Sequence, residues 1–201
     1  MNGIEEYVGE TKYEDNKVVF SGTAFQPRTF SVRLKENASL EMPENHSIDI
    51  ECNASALTVD EFSMSGDFDG EGNSFAAELM PDVVEAGGIT FRMENNPADY
   101  NYIRCDGQTI TLPEKHGYTK CYLLVTSSHG DRKASFQVDG KDYSFNIPFY
   151  SGFIGQWGWK GESEGYMKDA SIAYVGTHRH SSRAAGNESY IYTYLYKICL
   201  D

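Results

Sequence analysis

Three features of this sequence predict an all-β chain, an antiparallel β-sandwich of jelly-roll type with a small additional N-terminal sheet. Its 201 residues hold 14 tyrosines and 11 phenylalanines, and aromatic and β-branched side chains suit a pleated, half-buried surface. Short apolar segments are punctuated by Gly/Asp turns, as strands joined by tight connections require. No long segment keeps the apolar spacing of an amphipathic helix, and no repeat of constant period is visible. A chain of this length can bury a sizeable core.

In order along the chain, residues 1–16 are acidic and polar, a lead-in. Residues 17–22 read as a strand, and Pro27 then bars a regular central ladder. Phe30, Val32 and Leu34 alternate with polar residues, and residues 35–46, with Pro43, connect to a strand pair over 47–59. Residues 66–73 hold three glycines and three acids, a composition that marks a section boundary. The reading is therefore N-terminal strands over 1–65 and a main sandwich over 66–201. Within the sandwich, a strand begins at Phe75 and stops at Pro81, and another spans 88–93. A hairpin over 102–112 turns at Asp106–Gly107. Residues 120–127 are the most continuous apolar run, predicting a strand buried on both faces. A second hairpin over 133–147 turns at 139–142, and residues 151–165 form a glycine-rich loop with Trp157 and Trp159. An antiparallel pair, 166–180 and 190–200, ends the chain. Period-two alternation would put Tyr190, Tyr192, Tyr194 and Tyr196 on one face.

The net charge of −13 provides no basic stripe for phosphates, so nucleic acid is excluded as a partner. It equally disfavours anionic membranes, and no run approaches the ~18 apolar residues of a membrane span. Cys52, Cys105, Cys121 and Cys199 are too widely spaced for a CxxC motif and read as free thiols of a reduced compartment. The first residues lack a signal peptide's apolar stretch. A cytoplasmic chain is expected, with export of a longer parent left open.

Several residues are candidates for a site on their chemistry. His178 and His180, at i and i+2, share a face on a continuous strand and have the spacing of a zinc pair, yet zinc needs further ligands. No metal is assigned on this basis; the expected role is hydrogen bonding, with Arg179, across an interface. For all three to serve one surface, the chain must bend there. A partly exposed tip is then expected, with an imidazole near Glu188, where a His178/His180 double alanine substitution leaves stability unchanged. Asp67, Asp69 and Glu71 invite comparison with an EF-hand, but the flanking helices are missing, so a surface turn is expected. Trp157 and Trp159 suit either stacking on a sugar or plugging one end of the sandwich. No nucleophile elbow, P-loop or dinucleotide fingerprint is present, and nothing singles out two of the 30 acids as a glycosidase pair.

Several segments in register resemble the distal C-terminal region of bacterial glycoside hydrolase family 38, the α-mannosidases. They are 25–30, 68–72, 77–81, 107–113, 152–156, 177–180, 187–190 and 194–197. The resemblance implies a β-sandwich domain without catalytic residues of its own. The family's aspartate nucleophile and its zinc, with His and Asp ligands, lie in an N-terminal barrel with no counterpart here, so zinc is expected only in that missing domain of a retaining enzyme. The residues carried over are Gln108, His178, Arg179, His180, Glu188 and Tyr190. The expected function is a non-catalytic domain supporting that barrel and bordering its substrate site, with the catalytic and helical domains of a parent chain as partners. The alternative is an autonomous carbohydrate-binding module taking mannose-containing glycans. A metal-dependent hydrolase built on His178 and His180 is a third reading.

Overall fold

The computed structural model describes residues 9–14, 17–20, 29–31, 45–112, 117–156 and 166–201. Trp157, Trp159 and His116 lie outside the described residues, as do parts of the elements expected over 17–34. The chain divides into two units, residues 1–44 and 45–201, where the sequence suggested a break near 65. In the first unit, β1 (Lys12–Glu14) pairs antiparallel with β2 (Lys17–Val19), so part of the expected lead-in is a strand. Thr11 Oγ1 donates to the Val19 carbonyl at 2.6 Å.

The second unit is all-β, as expected; its described residues contain no α-helix, and none is long and apolar enough to cross a membrane. Its centre is a five-stranded sheet in the order β3 (Leu57–Thr58), β4 (Asn73–Ala76), β12 (Ser171–Ser181), β13 (Gly186–Leu200), β7 (Cys121–Val125). The pairs are antiparallel except β3 with β4, which run parallel, so the sheet is mixed. The long apolar run that became β7 lies at the sheet edge and is half-buried throughout. Burial on both faces is what the sequence predicts for it, so the half-burial corrects that expectation. An edge strand has only one neighbour, and here that neighbour is the C-terminal end of β13, from Tyr196 to Leu200.

Three hairpins complete the unit. β5 (Val83–Ala86) pairs with β6 (Ile89–Arg92) across Gly87–Gly88. β8 (Arg132–Val138) pairs with β9 (Lys141–Ile147) in full register. Its turn residues, Asp139 (φ 50°) and Gly140 (φ 78°), both sit in the left-handed region that a two-residue hairpin turn demands. β10 (Gly155–Gln156) pairs with β11 (Tyr166–Met167). The hairpin expected at 102–112 is not a ladder: Tyr102 makes an isolated bridge to Ala54. Gln108 instead closes its own loop, accepting from the Asp106 amide and donating to the Arg104 carbonyl, both at 2.8 Å.

The core gathers Leu57, Phe68, Phe75, Met80, Val84, Tyr150 and Tyr174. Phe68 meets Phe75, Tyr102 and Tyr150 edge-on with ring centroids 5.1–5.4 Å apart, the geometry aromatic quadrupoles favour. Two 3-10 turns, Asp60–Phe62 and Ala77–Leu79, follow β3 and β4. The strand expected to run from Phe75 to Pro81 thus ends at Ala76, and the residues before Pro81 turn instead.

The tyrosine face of β13 is broken. Gly176 of β12 opposes Thr193, yet His178 opposes Ser189, so residues 190–192 bulge against Thr177 alone. Tyr190 takes φ 65° there and is 82% exposed, whereas Tyr194 and Tyr196 are buried. A bulge shifts which side chains point inward, and that is why strict alternation failed.

Candidate functional site

The chemistry-bearing residues converge where β12 passes between β4 and β13. Arg179 opposes Phe75 on one side and Glu188 on the other; His180 likewise opposes Ser74 and Asn187. No bend interrupts the strand, which runs on to Ser181. This corrects the expectation of an exposed, bent tip: His180 is fully buried, because a strand flanked on both edges has nowhere to turn outward. Alternation then sends the histidines and Arg179 to opposite faces, and each face has its own network.

On the arginine face, Arg179 Nε donates to Glu188 Oε2 at 2.7 Å, and Nη1 lies 3.4 Å from the Tyr150 hydroxyl. It was an imidazole that the sequence reading placed beside Glu188. Tyr150, with no exposed surface, donates to Asp69 Oδ2 at 2.9 Å. Asp69 is buried and also accepts from the Asn73 side chain (2.8 Å) and from the amides of Glu71 and Asn73. Burial taken alone would raise its carboxyl pKa, but these donors override it and hold the group below its ordinary range. Burial first, then the Asp69 charge, push the Tyr150 phenol well up. Asp69 is thus turned inward, which corrects the expectation of a surface turn: Phe68 and Asp69 of this loop are buried. Gly72 (φ 80°) allows the turn, and a Cβ there would stand 2.1 Å from Ser182 Oγ.

On the histidine face, the rings of His178 and His180 are 5.7 Å apart. His180 Nδ1 is 2.8 Å from Thr58 Oγ1, which is 2.6 Å from Ser74 Oγ. Its Nε2 is 3.1 Å from Asp60 Oδ1 and 3.9 Å from Glu78 Oε2. The Asp60 amide donates to Glu78 Oε1 at 2.6 Å, and Asn187 Nδ2 donates to Asp60 Oδ1 at 3.2 Å. Both carboxylates come from the 3-10 turns. His178 Nε2 is buried with no hydrogen-bond partner among the described residues.

Of the sequence candidates, the structure pairs His178 with His180 on one face of β12 and Arg179 with Glu188 on the other. Tyr190 stands on the bulge beyond them, and Gln108 lies with Asp49, Ile50 and Ile110 around a separate hollow of about 260 Å³. Asp60, Glu78, Asp69 and Tyr150 were missed as partners. Asp60 and Glu78 carry a faint signal, acids beside short apolar runs; Tyr150 carries none, since its partners are 81 and 29 residues away.

Curated proteins give no match to the chain, and nothing in the comparisons links it to glycoside hydrolase family 38, so that assignment rests on the sequence motifs alone. Residues 44–201 instead match the AziU2-like β-sandwich domain, and the chain belongs to that family.

Proposed function

We propose that this β-sandwich is a non-catalytic docking domain. The supporting observation is an apolar pair carried on a braced turn. Phe62 and Met64 are 63% and 58% exposed; they border an open hollow of about 460 Å³ with Glu61, Ser63, Ser65 and Ala185. Beneath them the turn is tied down: the Phe62 amide donates to Val59, Ser65 donates twice to the Phe62 carbonyl, and Asp60 holds His180. Large apolar side chains on a rigid turn mark an interaction surface. The occupant is a protein domain offering an apolar side chain within a basic rim, which complements Glu61, Asp60 and the chain's net charge of −13.

The finer form of this reading, an accessory domain of an α-mannosidase-like parent, rests on the family 38 resemblance. It is tested in two steps. The purified chain should leave aryl α-mannosides intact with or without added zinc. In the parent protein, hydrogen exchange over 60–65 should be slower than in the isolated chain, and Phe62→Ser with Met64→Ser should restore the fast rate. Zinc-dependent turnover by the chain alone, or equal exchange in both contexts, overturns it.

A second reading, an autonomous carbohydrate-binding module, is favoured by a different observation. Tyr190, Tyr192 and Phe153 are exposed aromatics, and the Gly152 amide donates to the Tyr192 carbonyl, which joins their two segments. Flat exposed rings stack on sugar faces. Manno-oligosaccharides should then raise the melting temperature, and Tyr190→Ala should remove the shift. Calorimetry showing no binding at millimolar sugar eliminates this reading.

A further inference from the structure

We infer that His178, His180, Asp60 and Glu78 form a binding site for a zinc-class divalent cation. One ligand atom from each of Asp60, His178 and His180 lies within 4.8 Å of the others. Ligand atoms about 2.0–2.1 Å from a tetrahedral zinc are roughly 3.3 Å apart, so closure needs shifts of an ångström or so. The two carboxylates can supply them, with side chains 59% and 39% exposed on short 3-10 turns. The imidazoles are the fixed half of the site.

Two details point to a ligand rather than to a satisfied pair of core histidines. First, His178 Nε2 is buried with no hydrogen-bond partner among the described residues, which costs the desolvation of that nitrogen unless something binds it. Second, His180 is oriented as a metal-bound imidazole is: Nε2 faces the carboxylates, while Nδ1 meets Thr58 Oγ1, itself held by Ser74. Two imidazoles with two carboxylates suit zinc and neighbouring transition metals; calcium and magnesium prefer all-oxygen shells. Asp60, His178 and His180 supply three ligands, and Glu78, whose Oε2 is 3.9 Å from His180 Nε2, is placed to supply the fourth and close the site in the pattern of a structural zinc. Bound there, the ion ties both 3-10 turns to β12 and braces the turn bearing Phe62. This inference does not depend on the docking proposal, since the ligands are complete within the chain.

The test uses the whole chain, stripped with EDTA and checked for its native circular dichroism. Titration with zinc chloride should show one ion per chain and a rise in melting temperature, with no response to magnesium or calcium at equal concentration. Cobalt(II) should give the visible d–d absorption of a four-coordinate nitrogen–oxygen site. His178→Ala, which removes an unpartnered nitrogen and so keeps the fold, should weaken zinc binding at least ~100-fold; Asp60→Asn should weaken it ~10-fold or more. Folded wild type that fails to bind zinc overturns the inference. So does zinc binding that His178→Ala and Asp60→Asn leave unchanged, which would place the ion among surface acids.

Discussion

Replacing Asp69 by alanine should be among the most damaging single changes in the domain. The carboxylate accepts from the Tyr150 hydroxyl, the Asn73 side chain and two backbone amides, and Arg179 Nη1 lies 3.9 Å from it. Water can reach the Glu71 amide once the carboxylate is gone, since Glu71 is exposed. It cannot reach Tyr150 or Asn73, which are 0% and 2% exposed. Each buried donor left without a partner costs ~1–3 kcal/mol, so the Tyr150 hydroxyl, the Asn73 side chain and the Asn73 amide together account for ~3–9 kcal/mol before the offsets. Arg179 loses part of its compensation but keeps Glu188, while removal of a desolvated charge returns some stability. The balance is a loss of about 3–5 kcal/mol, a large share of the ~5–15 kcal/mol typical of a domain. Urea denaturation should show the midpoint falling by roughly 2 M for a slope near 2 kcal/mol/M, with the slope unchanged. Asp69→Asn keeps the shape and an acceptor, and should lose about half as much. Combining it with Tyr150→Phe should give a coupling energy of at least ~1 kcal/mol. A loss below ~1 kcal/mol for Asp69→Ala, or strict additivity in the cycle, would refute the network as the source of stability.

His180→Ala should cost about 2–4 kcal/mol, because the ring is fully buried and its loss leaves a cavity, with the Thr58 hydroxyl keeping Ser74 alone; His178→Ala should stay within ~1 kcal/mol, and equal losses in urea melts would contradict the assignment. Because the pKa of Asp69 is depressed below 3.8, its contribution is complete above that value and disappears as pH falls through the folded pKa. The gap in melting temperature between wild type and Asp69→Asn should therefore narrow below about pH 4. Burial raises the Tyr174 phenol to about 12 from 10.0, so its contribution is complete below pH 10.0 and is lost as pH approaches about 12; Tyr174→Phe should flatten that alkaline decline. Gly140→Ala should cost ~1 kcal/mol or more from φ alone, since a Cβ there meets nothing within 4 Å.

Local structure was legible where local chemistry decides it. The β8–β9 hairpin follows from an Asp-Gly turn between alternating segments. The reading failed where tertiary partners decide. Asp106–Gly107 has the same turn dipeptide, but the flanking residues find no ladder, and Gln108 closes the loop with its own side chain. Residues 120–127 look buried on both faces because a continuous apolar run shows no polar side, yet at the sheet edge the strand is only half-buried. The boundary near 65 was drawn at a glycine-rich turn, yet β3 precedes that turn and joins the same sheet. Glycine marks a change of direction, and a change of direction is not a change of domain.

The histidine–arginine–histidine run shows the same limit at the site. Its residues were read as one functional tip, which requires a bend, whereas a straight strand separates them by face. Straightness follows from pairing on both edges, and neither β4 nor the bulge at Tyr190 can be inferred from residues 177–181. That bulge offers its own test. A tyrosine at φ 65° holds a conformation that glycine adopts without strain, at a cost of ~1 kcal/mol or more. With its ring 82% exposed, little packing is lost on substitution. Tyr190→Gly should thus leave the domain equally stable or up to ~1 kcal/mol more stable, and Tyr190→Val should destabilise it, because a β-branched side chain tolerates positive φ poorly. If Tyr190→Gly is destabilising in urea melts, the ring is held by packing and the bulge is no exposed platform. If it stabilises the domain while abolishing binding of manno-oligosaccharides, the strain is retained for recognition, which would favour the carbohydrate reading over the docking one.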